Sequence, residues 1–127
     1  MKFDDIQDRL KEIKNEELVW TIYIGIIILS FYSNWLEKKY FLNNDLECKK
    51  KYREIMILIF SILVIVYLYF LKDAYDSLKK LKPSDSDKKK KLNYLSFLAS
   101  LLIAISGFIL LYVAINDEDI DVELAFN

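Results

Sequence analysis

Histidine is absent from these 127 residues, cysteine and proline occur once each, and glycine twice. Without histidine the chain lacks the usual general base, the commonest transition-metal ligand and the side chain that switches charge near neutral pH. The lone thiol, Cys48, sits in a Lys/Glu stretch with no second cysteine, which excludes an internal disulfide and suggests a structural or incidental residue. The proline, Pro83, is placed to end a helix. No Asp, Glu, Lys or Arg falls within any of three long apolar blocks, which argues against a proton-coupled carrier, a voltage sensor or a membrane enzyme with buried acid and base.

What is present is segregated. The chain is 54% hydrophobic, 15% aromatic and 29% charged, with a net charge of −1. The charges collect between the apolar blocks, whereas a soluble domain interleaves the two at helix or strand period. Residues 18–36, 55–71 and 92–115 form the blocks, and each approaches the ~20 residues that carry a helix across a ~30 Å hydrocarbon layer. Trp20 and Trp35 bracket the first block, as interfacial rings do. The second has only Ser61 as a polar interruption and is apolar on every face. The six acidic residues before the first block make a secretory signal a poor account of it.

The expected architecture is an all-α integral membrane protein with three transmembrane helices. An N-terminal amphipathic helix over 1–17 carries Phe3, Ile6, Leu10 and Ile13 on one stripe, with Asp4 and Gln7 at capping-box spacing; it either lies on the membrane or packs on another subunit. A basic loop over 37–54 follows the first span; the alternative there is an interfacial helix with Tyr40, Phe41 and Leu46 facing lipid and Lys side chains snorkelling outward. The second span extends to about residue 82 along Ala74, Tyr75, Leu78 and Leu81. Residues 83–91 form a basic turn, so helices 2 and 3 make a cytoplasmic αα-hairpin extension. An acidic tail occupies 116–127. Residues 1–17 and the second loop hold twelve of the eighteen Lys and Arg, against six in the first loop, placing the N-terminus inside and the C-terminus outside.

Three features are candidates for function. On the third span, Asn93, Ser96, Ser100, Ala104, Gly107, Leu111 and Ala114 share one stripe at ~100° per residue. Small residues let helix backbones approach, so the stripe is a packing seam; lining a hydrated pore in a homo-oligomer is the competing reading. The first span offers a lesser stripe, Thr21, Gly25, Ile28 and Tyr32, also expected to pack. In the tail, Ile120, Val122, Leu124 and Phe126 alternate with acidic residues, suggesting an extended segment. Asp117, Glu118, Asp119, Asp121 and Glu123 would then form a negative rim at a pore mouth. Their spacing lacks the Gly and bidentate Glu of a calcium loop, so no metal is expected, and no cofactor. Lys79, Lys80, Lys82, Lys88, Lys89, Lys90 and Lys91 make a basic patch suited to anionic lipid head groups, to an anionic ligand or to a protein partner. No Gly-rich phosphate loop and no Arg accompany them, so nucleic acid is not the expected ligand.

In length, span count and charged ends, the architecture resembles that of three-span phage holins and of the small membrane effectors with which bacterial defence systems depolarise cells. Many holins end in a basic cytoplasmic tail, whereas this chain ends in an acidic one. The resemblance implies a homo-oligomeric pore of weak ion selectivity rather than an enzyme. The alternative is a non-conducting anchor or accessory subunit that docks a partner.

Overall fold

A computed structural model describes residues 3–124 as three helices, α1 (Phe3–Asn43), α2 (Leu46–Lys79) and α3 (Asp87–Asn116), with no strand among the described residues. Lys2 of the charge count and Phe126 of the tail alternation lie outside them. At ~1.5 Å per residue the helices are ~60, ~50 and ~45 Å long, and all three are long and apolar enough to cross a membrane.

The helices run further than the apolar blocks. Residues 37–54 are not a loop: α1 continues to Asn43 and α2 begins at Leu46. Nothing between Trp35 and Asn43 breaks a helix, since charge alone does not, and the chain reverses at the first residues able to do so. Asn44 takes the left-handed conformation (φ 53°), which Asn tolerates better than most residues. Asp45 then caps α2, its carboxylate accepting from the Glu47 and Cys48 amides at 3.1 and 3.2 Å. The second turn is built similarly. Helix α2 stops at Lys79, slightly short of the expected end, with Lys80 as its cap; Ser86 caps α3 by accepting from the Lys89 amide at 3.2 Å.

The N-terminal segment is not a separate element either. It runs into the first span as one helix of 41 residues, with Asp4 and Asp5 in its first turn, where they complement the helix dipole; Asp4 is therefore inside the helix and not its cap. Sharp bends need a Pro, a bulge or an inserted side chain, and α1 is helical throughout. The Phe3, Ile6, Leu10 and Ile13 stripe is left exposed.

Helix α2 lies in the middle, packed by α1 on one side and α3 on the other, and no Cα of α1 comes within 8 Å of one in α3. The second apolar block is thus the centre of the fold, with Tyr52, Met56, Ile59, Phe60, Leu63, Val64 and Val66 buried. On α1 the inward residues are Val19, Ile22, Ile26, Leu29, Ser33, Leu36 and Tyr40. Their spacing alternates strictly between three and four, which is the seam of a left-handed helix pair. Ser33 is fully buried in that seam and donates to the Ser30 carbonyl at 2.8 Å. The stripe expected to pack, Thr21, Gly25, Ile28 and Tyr32, faces away, and a β-carbon added at Gly25 meets nothing within 4 Å.

The tail is a clasp rather than an extended segment. Ile120 and Leu124 turn inward while Val122 is 51% exposed, so the apolar period is four, not two. The Asp117 carboxylate makes the turn, accepting from the amides of Asp121 at 3.0 Å and Val122 at 2.8 Å, and Ile120 adopts φ 58°. Arg53 of α2 donates to the Ile115 and Asp117 carbonyls at 3.0 and 3.3 Å, satisfying carbonyls freed at the end of α3. Lys49 reaches Asp119 at 3.3 Å. Leu124 is buried in a cluster with Leu36, Cys48, Tyr52 and Met56.

Candidate functional site: a polar cavity between the three helices

The α3 stripe divides into two halves. Ala104, Gly107 and Ala114 are buried against the rest of the fold, and Leu111 is half-buried. Gly107 allows the closest approach: a β-carbon there would stand 2.7 Å from Tyr67 Cδ2 and 3.4 Å from Val64 Cγ2. Between helices surrounded by lipid such packing is the main source of association, because lipid tails are as apolar as the side chains. This half is a seam within one chain.

The other half opens. Asn93, Ser96 and Ser100 line a cavity of ≈ 370 Å³ whose remaining wall is Tyr23 of α1, Tyr67, Phe70, Asp73, Ala74 and Ser77 of α2, and Ile103 of α3. It lies where α1 and α3 flank α2 without touching each other. Ser30, Ser33 and Ser61 each donate to a carbonyl one turn back, and the Asn93 amide donates to the Lys89 carbonyl at 2.8 Å. Among the described residues, the Ser96 and Ser100 hydroxyls have no protein partner. Ser96 is exposed and Ser100 half-buried, so both hydroxyls are open to water that enters the cavity. Ser106, on an exposed face, likewise has none.

Asp73 is the only charged residue in the wall. Loss of surrounding water raises its carboxyl above the ordinary range, and Glu12, Asp76 and Glu16 raise it further, while Lys80 acts the other way. Glu12 and Glu16 come from α1, so the projecting end of α1 brings its acidic face towards α2. Asp73, Tyr23, Tyr67, Phe70 and Ser77 are site residues that do not stand out in the sequence. Asp73 and Ser77 stand one turn apart just past the second apolar block, and that spacing was the available signal. A second, largely apolar groove of ≈ 550 Å³ adjoins the cavity, sharing Tyr23 and Tyr67 and continuing past Trp20, Phe31 and Asn34.

The other candidates lie at the ends of the bundle. In the acidic tail, Asp117 is half-buried and committed to its turn, Asp119 pairs with Lys49, and Glu118, Asp121 and Glu123 are exposed. Glu123 lies near Glu37 of α1. Burial raises the Glu37 carboxyl, a hydrogen bond from Tyr52 lowers it, and Glu123 raises it. Asp117 is held below the ordinary range: its partial burial acts upward, and the amide hydrogen bonds and Arg53 outweigh it. At the hairpin tip Lys79, Lys80, Lys82, Lys88, Lys89 and Lys91 are exposed and Lys90 is half-buried. Several are engaged locally: Lys79 over the Tyr75 ring at 4.5 Å, Lys89 with Asp85 at 3.3 Å, and Lys90 on the Pro83 carbonyl at 3.1 Å. The structure brings the tail together with the first turn, and the α3 stripe together with α2; the stripe meets the basic tip only through the Asn93 bond to the Lys89 carbonyl, and the tail does not reach it.

Comparison with protein-family models, curated proteins and solved structures finds no match to this chain. A function therefore has to be read from the geometry.

Proposed function

We propose that this is a multi-pass membrane protein that assembles into a homo-oligomeric channel or pore of weak ion selectivity. The observation that carries the reading is the polar cavity, where two hydroxyls without protein partners and one carboxylate gather at the hairpin end of three apolar helices. Water entering there stops at the Gly107 and Tyr67 contact, so one copy has no continuous route. Conduction requires copies to pool their cavities or α3 to shift on α2. With no charge inside the spans, selection falls to the ends, Asp73 at one and Glu118, Asp121 and Glu123 at the other. The hairpin and N-terminus lie in the cytoplasm and the tail outside; the tail's engagement of Lys49 and Arg53 accounts for basic residues on the outer side. Depolarisation of a bacterial inner membrane, as by holins or antiphage effectors, would be the consequence of opening.

The test is ion flux in proteoliposomes together with particle size in detergent. Wild-type protein is expected to be oligomeric and to conduct, and Ser100→Leu or Gly107→Leu to abolish or alter the current. A monomeric wild type without flux would sink the proposal. One observation favours the second reading, an anchor or accessory subunit: the exposed stripe Phe3, Ile6, Leu10 and Ile13 on a helix that continues the first span in line and cannot lie down on the bilayer. Under that reading a partner binds stoichiometrically and is lost on Leu10→Asp.

A further inference from the structure

The cavity has a composition more specific than a water-filled recess needs. Its volume of ≈ 370 Å³ equals roughly a dozen waters at ~30 Å³ each and falls within the ~300–1,000 Å³ of small-molecule sites. Its wall holds three half-buried aromatic rings, Tyr23, Tyr67 and Phe70, a single exposed carboxylate, Asp73, and the small polar side chains Ser77, Asn93, Ser96 and Ser100, so that it is open on the side of Asp73, Ser77 and Ser96. No Lys or Arg lines it. Among the described residues no hydrogen-bond donor or cation pairs with the Asp73 side chain. Beyond the wall, Glu12, Glu16 and Asp76 add negative charge around Asp73, against Lys80 alone.

These features exclude most ligand classes. An anion would meet no positive group and a negative field. A divalent metal needs several oxygen ligands of which carboxylates are the core, and one carboxylate among rings does not provide them. A bare monovalent ion leaves most of the volume and all three rings unused. An organic cation uses all of it, since its charge meets the carboxylate and its alkyl groups lie against ring faces, whose quadrupole attracts cations by ~0.5–2 kcal/mol each.

We propose that this cavity is a binding site for an organic ammonium cation, held by the Asp73 carboxylate and the rings of Tyr23, Tyr67 and Phe70. The ligand would bridge α1 and α3, which are otherwise joined only through α2. The inference shares the hydrated cavity with the proposed channel but not its conduction.

The test uses the full chain in a maltoside, because choline-headed detergents would compete. Choline is titrated by ligand-observed NMR alongside 3,3-dimethyl-1-butanol, its uncharged carbon isostere. Saturable binding of choline, and none of the isostere, is expected. Asp73→Asn should weaken choline at least tenfold with unchanged helical circular dichroism, and Phe70→Leu severalfold. Ser100→Leu, which fills the cavity from α3 and leaves the carboxylate in place, should also weaken it. Equal affinity in wild type and Asp73→Asn, equal binding of the isostere, or no saturable binding of choline or of tetraethylammonium would each overturn the proposal. Because binding is read without a bilayer, a protein that binds but does not conduct refutes only the channel, and one that conducts but does not bind refutes only this site.

Discussion

Replacing Gly107 tests the packing of α3 on α2 at its closest point. A β-carbon at this position would lie 2.7 and 3.2 Å from Tyr67 Cδ2 and Cε2, where carbon contacts ordinarily settle at ~3.5–4.0 Å. Alanine gains ~1 kcal/mol over glycine in helix propensity. Against this stands an overpacking cost of ~1–3 kcal/mol. The Tyr67 ring borders both the polar cavity and the apolar groove, so it has space to move, which puts the cost of one methyl group near the lower end. Gly107→Ala should therefore change stability by less than ~2 kcal/mol, whereas Gly107→Leu adds too many atoms for a ring shift to absorb and should part α3 from α2. The decisive measurement is a double-mutant cycle with Tyr67→Ala, followed by helical circular dichroism during SDS titration of detergent-solubilised protein. Removing the ring should relieve the methyl group, giving a coupling of ~1–2 kcal/mol. If the two changes add within ~0.5 kcal/mol, the contact does not exist and the stripe does not pack on α2.

Two further predictions concern the clasp. Leu124→Ala should weaken tail docking by ~2–3 kcal/mol through the cavity it leaves, and Arg53→Ala should loosen the same segment by freeing two carbonyls; Lys49→Ala, which removes the ion pair to the exposed Asp119 and a contact with the Tyr40 ring at 5.3 Å, should loosen it least. The readout is the rate of proteolysis in the tail, and equal rates in all three variants and wild type would refute the clasp. The second concerns pH: the Glu37 carboxyl is raised above its ordinary 4.5, chiefly by burial and then by Glu123, against the lowering hydrogen bond from Tyr52. Its contribution to docking is complete below 4.5 and is lost as pH rises through the raised value. Asp117 works oppositely, holding docking above its ordinary 3.8 and losing it as pH falls through its depressed value. Amide exchange in the tail should thus slow between neutral pH and about 4.5, after correction for intrinsic rates, and Glu37→Gln should remove that slowing; an unchanged profile in the variant would contradict the assignment.

The three apolar blocks were legible because hydrophobic length is a property of the chain alone, and each lies within one of the helices. Helix ends were less so. Reading 37–54 as a loop weighted its charges, whereas helices end where a residue can turn the chain, here Asn44 and Asp45. The α3 stripe was visible as a stripe, but periodicity does not say what faces it, and α2 covers one half while the other opens. On α1 the exposed Gly25 drew notice and the 3–4 seam through Ser33 did not, since aliphatic residues surround the whole helix. The tail misled because four apolar residues at period two resemble a strand; its real determinants are Asp117 and the distant Arg53. Asp73 escaped for a similar reason, as its neighbours Glu12 and Glu16 lie some sixty residues away in the chain.

Leu124 sets an order of assembly. The cluster it completes includes Leu36 of the first helix and Cys48, Tyr52 and Met56 of the second, all made long before it during synthesis, and Ala114 of the third. The two helices can enter the bilayer and pair as a hairpin, but the space between their ends stays open until the third helix has crossed in the opposite sense and carried the clasp to that side. A chain whose third helix has not yet packed on the second therefore differs from a finished one by an unfilled apolar space between the ends of the first two helices.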